Sequence, residues 1–441
     1  MLEQVQPNRD RGTTLKTSAR LAQLASTSAL LACLSATESS SAQVLHLLGA
    51  VNDAWATGVS DDGTVAAGYD PGSYWYWTEA SWVVQLTGIT IPPGNGVGGS
   101  ACIRGDGSQM SCSSLQGEPA KAEGSFYDLN WTEVTPIGST GFNCDIERNG
   151  IWDMSPDGQH AVGLSWQNGC AAAGFHWNIK EGFKLLPTSY FFKPTRANAV
   201  SNDGNVIAGW SDDYNGYRQG SVWTRNAAGN YIQTLMTSPP IPPSTIATKC
   251  SEGSAISGNG QWVYGMGRST VNGGAAWRWS AATGYQPILP APVSDIGYVT
   301  DANFDGTQFV GFFGMGGGNG GYIWIEGRGY ILLNDYAAER GVVVPKGVFL
   351  SMPLGMSPNG NTIVGTAFGS FGMSPFVLQL SSRSPNCPAD INGDGTVGAQ
   401  DLASILSFWE SDNVNNDLNG DGIVGAQDMA IVLNAWGDCA P

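Results

Sequence analysis

A short pattern recurs seven times along the middle of the chain, and it limits the fold more than any other feature. It reads Ser-x-Asp/Asn-Gly, with a second Gly five positions after the first. The full form occurs at Ser60…Gly63…Gly68, Ser155…Gly158…Gly163, Ser201…Gly204…Gly209, Ser257…Gly260…Gly265 and Ser357…Gly360…Gly365. Two variants complete the set, Asn303…Gly306…Gly311 and Arg104…Gly107…Cys112. The turn glycines are 44 to 56 residues apart. Units of that length stack as a propeller or solenoid, because one unit cannot bury its apolar face alone.

Each unit divides into four short strands. Asp-Gly or Asn-Gly makes the tight hairpin turn between the first two. Three residues past the turn glycine the side chain is always apolar: Ala66, Met110, Ala161, Ile207, Val263, Phe309 and Ile363. An aromatic third strand follows, as in Tyr74–Thr78, Phe175–Trp177, Val222–Thr224, Trp277–Ser280 and Tyr322–Trp324, and a fourth apolar strand ends most units, alternating with period two. The seventh unit has no fourth strand, since Phe376–Leu380 runs straight into a Ser/Pro linker at 381–386. Val44–Leu48 is a strand without a unit. Donating it to the last unit closes the ring and removes an exposed edge. The expectation is an all-β, seven-bladed propeller-like domain over residues 43–380.

These units resemble the bacterial extracellular HAF repeat family, whose hairpin of the form Val-Ser-x-Asp-Gly is followed by an aromatic-x-Trp-Thr strand. The resemblance implies export and a propeller-like body, and it implies no defined reaction. Unit two departs most, with Arg104 for Ser and Cys112 for Gly.

Composition agrees. Only 13% of residues are charged, against 61 Gly and 16 Trp, which suits strands and turns rather than long helices. A net charge of −17 argues against nucleic acid and against an anionic membrane surface. Arg9, Arg11, Lys16 and Arg20 precede a weakly apolar run, Leu21–Thr37, and Ser40 and Ala42 satisfy the small-residue rule for cleavage before Gln43. Residues 1–42 therefore read as a signal peptide. Leu30-Leu31-Ala32-Cys33 is the alternative, a lipoprotein box. No segment is long and apolar enough for a transmembrane span, so the expected location is secreted or bound at a bacterial cell surface.

The C-terminal region, 387–441, holds nine Asp and Glu and no Lys or Arg. Asp390, Asn392, Asp394, Thr396 and Asp401 sit at positions 1, 3, 5, 7 and 12 of a loop with Gly395 at 6, and Asp417, Asn419, Asp421, Ile423 and Asp428 repeat it 27 residues later around Gly422. That spacing describes an EF-hand loop, with position 7 donating a backbone carbonyl, so two Ca2+ ions are expected. Leu402, Ile405, Leu406 and Trp409 have helical spacing after the first loop, and Met429, Val432, Leu433 and Trp436 repeat it after the second.

A duplicated loop-helix with Asp at position 12 resembles the dockerin family, in a Cys-bracketed variety of planctomycete type: Cys387-Pro388-Ala389-Asp390 at the front and Trp436-Gly437-Asp438-Cys439 at the back. The resemblance implies a small all-α domain with a Cys387–Cys439 bridge. It also implies a partner face at loop positions 10 and 11, here Ala399-Gln400 and Ala426-Gln427. These are not the usual Ser-Thr pair, so the expected partner is a cohesin-like or other surface protein, bound in either of two orientations.

Remaining signals are weaker. Cys102 and Cys112 flank Gly107 symmetrically and are expected to bridge across that hairpin; Cys144 and Cys170 flank the turn of unit three as a candidate pair, and the sequence leaves their state and that of Cys250 open. Gly316-x-Gly318-x-x-Gly321 links two strands and opens no helix, so it reads as a loop. The Trp at 77, 131, 177, 223, 279 and 324 recur once per unit and read as packing, whereas Trp55, Trp75, Trp82, Trp152 and Trp210 break the register and read as a binding surface. Two functions compete: a non-catalytic propeller binding carbohydrate or protein, or a glycoside hydrolase or polysaccharide lyase using a pair among Asp128, Glu133, Asp145, Glu147, Asp213 and Glu252.

Overall fold

The computed structural model describes residues 44–49, 53–90, 99–117, 120–139, 147–190, 193–240, 248–268, 274–289, 296–314, 320–380, 387–391, 396–411, 416–419 and 421–439. The expected signal peptide with its Cys33, the linker 381–386, Cys144, Asp145, Gly316, Gly318, Asn392 and Asp394 lie outside the described residues.

The repeat period becomes seven antiparallel sheets, six of four strands and one of three. Their inner strands, among them Trp55–Val59, Asn149–Met154, Thr195–Val200, Gly253–Ile256, Gly297–Ala302 and Phe349–Met356, each pack on the sheet of the preceding unit, the first of them on the last. The ring closes between the first and last: Thr366 Oγ1 donates to the Ala54 carbonyl at 3.1 Å, and Gln379 Nε2 to that of Gly63 at 3.0 Å. Val44–Leu47 forms the outer strand of blade seven, antiparallel to Phe376–Gln379, with Val44 opposite Gln379 and Leu47 opposite Phe376. The orphan strand is where the missing fourth strand required it.

The motif is a hydrogen-bond device. Ser60 Oγ donates to Asp62 at 2.7 Å and accepts the Val65 N–H at 3.0 Å, while Asp62 accepts the Thr64 N–H at 3.0 Å. Ser201, Ser257 and Ser357 repeat this with Asp203, Asn259 and Asn359. In the Asn303 variant the amide oxygen takes the hydroxyl's place and accepts the Gln308 N–H at 3.0 Å. All seven turn glycines have φ between 68° and 78°, which a Cβ disfavours. The second glycine has a different cause: a Cβ on Gly163, Gly209, Gly311 or Gly365 would stand 1.8–2.1 Å from an inner-strand carbonyl. Blade two carries Cys112 at that place, and its inner strand shrinks to the single bridge Ile103–Met110, leaving three strands.

The seven apolar residues after the turns are all fully buried. They sit between blades, where successive clusters such as Ala66, Trp75 and Trp77 or Phe309, Tyr264 and Tyr322 form the core. One element is not legible in the pattern: α1, Leu333–Glu339, begins directly after Gly329–Leu332, the fourth strand of blade six.

The C-terminal region holds α2, Ala399–Ser407, and α3, Ala426–Asn434, each begun at a Gly whose N–H is taken by the Asp at the third helical position. Cys387 and Cys439 are bridged, with Cα atoms 5.6 Å apart. The predicted helical stripe is only half correct. Ile405 and Val432 are fully buried and Leu402 and Met429 pack beside them, but Leu406, Trp409, Leu433 and Trp436 are 40–56% exposed.

The expected Cys102–Cys112 bridge does not form: both thiols are free and buried. The antiparallel register sets Cys102 opposite Ser111, not Cys112. Neighbouring register positions point to opposite faces of a sheet. Cys102 thus packs toward blade three and Cys112 toward blade one. Cys170 is in a disulfide, and Cys250 is free and buried.

Candidate functional site

Two positions before the first residue of each motif, the seven units carry Gly58, Cys102, Asp153, Ala199, Ala255, Asp301 and Gly355. In six blades the ladder skips the residue just before, Thr57, Trp152, Asn198, Ser254, Thr300 or Leu354, and this bulge re-aims the following side chain. Gly58, Cys102, Asp153 and Asp301 line an axial cavity of about 110 Å³ to which every blade contributes.

Asp153 and Asp301 are the two charges in a column of otherwise small residues. Each accepts the N–H of its own successor, Met154 or Ala302, and that of the next blade, Val200 or Met356, all at 2.8 Å. Burial pushes both carboxyls up to about 7, and for Asp153 the charge of Asp301 adds to the effect. Burial, then Asp153, likewise raises the Cys102 thiol. Sequence reasoning missed this pair, although aligning the seven units on their turn glycines exposes it.

Of the described carboxylates singled out as non-repeat candidates, four have structural partners. Asp128 closes a turn by accepting the N–H groups of Asn130 and Trp131. Glu147 is buried and accepts the Trp166 indole N–H at 2.5 Å. Asp213 is paired with Lys249, and Glu252 lies between Arg196 and Arg218. Glu133 is on the exposed outer strand of blade two.

At the Asp-Gly turn end, a 360 Å³ opening is lined by Asp61, Arg104, Asp106 and Asp157. Burial, then the charges of Asp62 and Asp106, raises the Asp61 carboxyl, and Arg104, 3.5 Å from Asp106, is the cation in this lining.

The aromatic expectation needs correction at three residues. Trp75 is fully buried core, and Trp210 is 5% exposed. Trp131 does not repeat the packing Trp: Tyr127 pairs with Met110 in that column, and Trp131 stands in the following turn, 79% exposed. Trp55 stacks on Tyr69, while Trp152 lies beneath Arg196 and Trp82 is 40% exposed.

In the second C-terminal loop, Asp417 accepts the N–H groups of Asp421 and Gly422, at 3.2 and 2.7 Å. Asp421 accepts those of Ile423 and the Asn419 amide, and Asp428 those of Leu418, Asn419 and Gly425. Gly422 has φ 89°, which the sharp turn at position 6 requires. In the first loop, Asp390 and Asp401 are buried and Asp401 accepts the Ile391 N–H at 2.7 Å. Ala399 and Ala426 each begin a helix, with Gln400 and Gln427 next to them, and Gln427 accepts the Asn419 amide. The donor set is all oxygen and carboxylate-rich, which fits a hard cation. Among the described residues no three His, Cys, Asp or Glu form a group that could hold a metal ion. No described helix is long and apolar enough to cross a membrane.

No protein-family model matches the chain, and no curated protein matches its sequence. Among solved structures, the β-propeller domain of the Trilobed protease from Pyrococcus furiosus, of open velcro topology, is 10% identical over 73% of this chain and 94% of its own, with a TM-score of 0.47. TolB from Acinetobacter baumannii is 17% identical over 55% of this chain, with a TM-score of 0.37, and the match spans 55% of its length.

Proposed function

We infer that the protein is an exported, non-catalytic propeller that binds carbohydrate or protein, and that a calcium-dependent, dockerin-like C-terminal module attaches it to a cohesin-like or other surface protein. The observation that carries the attachment half is the loop Asp417–Asp428, whose oxygen ligands are held in order by backbone N–H groups around a positive-φ Gly422. The duplicated exposed pairs Leu406/Trp409 and Leu433/Trp436 support a partner surface present twice. Export is supported by the Cys387–Cys439 disulfide, which suits an oxidising compartment.

A hydrolase or lyase reading has the Asp153/Asp301 pair in its favour. Their cavity of about 110 Å³ is the argument against it, because small-molecule sites run to roughly 300–1,000 Å³. Calcium titration of the mature chain by calorimetry, with far-ultraviolet dichroism, tests the attachment module. Two ions and a gain of helix on leaving chelator are expected; fewer ions, or an unchanged spectrum, would overturn the calcium assignment.

A further inference from the structure

At the mouth opposite the Asp-Gly turns, blades three to five lay cations on indole faces. The Arg196 guanidinium is 3.9 Å from the Trp152 ring centre and 5.6 Å from that of Trp210, and Arg218 is 4.1 Å from the same Trp210 ring. Glu252 binds Arg196 at 3.1 Å and stands 3.8 Å from Arg218. Arg196 is therefore a fixed, paired charge. Arg218 is 50% exposed.

Two further cations flank it. Lys193 lies 5.7 Å from the Tyr214 ring centre, and Arg268 donates to the Arg218 carbonyl at 2.5 Å. Neither has a carboxylate at ion-pair distance among the described residues. Tyr214 and Tyr217, 79% and 66% exposed, project from the loop between the middle strands of blade four. Counting Lys249, five cations here meet three carboxylates, Asp212, Asp213 and Glu252, and the adjoining stretches 241–247 and 269–273 contain no charge. In a chain of net charge −17 that is a local reversal of sign. The opposite mouth, where Asp61, Asp106 and Asp157 outnumber Arg104, keeps the chain's own sign.

We propose that this patch binds an anionic polysaccharide. The two exposed tyrosines offer flat faces to sugar rings, and Lys193, Arg218 and Arg268 pair with carboxylate or sulfate groups along the polymer. Complementary charge speeds encounter and excludes neutral polymers, and the acidic mouth leaves only one end of the propeller open to such a ligand. The inference rests on reading the propeller as a binding body and names the ligand class of that reading.

Affinity electrophoresis of the full mature chain tests it, in gels containing polygalacturonate, dextran sulfate, dextran or polyglutamate. Retardation by polygalacturonate or dextran sulfate is expected, weakening as salt is raised, and which of the two is stronger tells carboxylate from sulfate. Arg218→Ala and Tyr214→Ala should each weaken binding at least fivefold while melting at the wild-type temperature, since both side chains are exposed. Equal retardation by dextran overturns the inference and leaves carbohydrate binding standing elsewhere on the propeller. Polyglutamate bound as tightly as the polysaccharides reassigns the patch to acidic peptides. Wild-type affinity in both variants also overturns it. No retardation by any of the four removes the carbohydrate reading along with it.

Discussion

Asp153 Oδ2 accepts the backbone N–H of Val200 at 2.8 Å, so a side chain of blade three supplies an acceptor to the inner strand of blade four. Asp301 does the same for Met356, between blades six and seven. Burial raises both carboxyls to about 7, well above an unfolded value near 4. The folded chain therefore binds more protons than the unfolded chain between those limits, and stability falls as pH rises from about 4 to 7. Thermal melts across that window should show the decline, and Asp153→Asn should flatten it by about half the pair's share. An unchanged slope in the variant would refute the assignment.

The His160–His176 contact has the opposite sign. His160 Nδ1 and His176 Nε2 are 2.9 Å apart, and burial, then the charge of His160, lowers His176 to about 3. The unfolded imidazole takes up its proton near 6.5, so this pair costs stability as pH falls from about 6.5 to 3. Melts of His176→Gln should lose less stability on acidification than the wild type. Because the two effects oppose each other between about 4 and 6.5, only the single variants separate them.

Ring closure depends on a short strand and the residue after it. Leu48 is fully buried between blades seven and one, and its N–H donates to the Pro375 carbonyl at 2.9 Å. Leu48→Ala should cost about 3 kcal/mol by loss of burial and by the cavity left behind. Leu289→Ala, at a site 58% exposed, should stay within roughly 0.5 kcal/mol. Denaturant midpoints of the two variants make the comparison.

Sequence pattern located what obeys the repeat and lost what departs from it. The Ser-x-Asp-Gly turns, the buried column from Ala66 to Ile363 and the donated strand all follow from period and alternation. Trp131 and Trp75 were misread because the indole ring looks the same in a turn, a core or a surface; register alone tells them apart. Cys102 and Cys112 looked symmetric about Gly107, but a hairpin pairs residues by register, and the offset of one put them on opposite faces. Asp153 and Asp301 were hidden because each looks like an ordinary strand residue until all seven units are superimposed. The Leu406 and Leu433 stripes misled because a nine-residue helix against a core this small buries only one narrow edge.

The cysteines give a chemical count. Cys387 and Cys439 are joined across a sequence separation of 52 residues. A bridge over a loop of that size stabilises by about 4 kcal/mol in the chain-entropy model. Peptide mapping without reductant should recover both in one species. Burial pushes the Cys112 and Cys250 thiols up to about 12 and raises Cys102 as well, so the three should resist alkylation until the propeller is denatured.

Asp417 and Asp428 should fail differently when replaced. Asp428 is fully buried and accepts the N–H groups of Leu418, Asn419 and Gly425, which ties the start of the loop to the first turn of α3. Removing it leaves three part-buried N–H donors without their acceptor, at a cost of about 1–3 kcal/mol, with or without calcium. Asp417 is partly exposed and accepts the N–H groups of Asp421 and Gly422, both exposed, which water can satisfy in its absence. Its principal role is therefore charge toward the ion at position 1. Asp417→Ala should lose one of two calcium ions by calorimetry while its dichroism in chelator matches the wild type. Asp428→Ala should lose the same ion and also lose helical signal in chelator. If the two variants behave alike in chelator, Asp428 has no structural role apart from the metal, and the hydrogen bonds assigned to it here do not hold the loop.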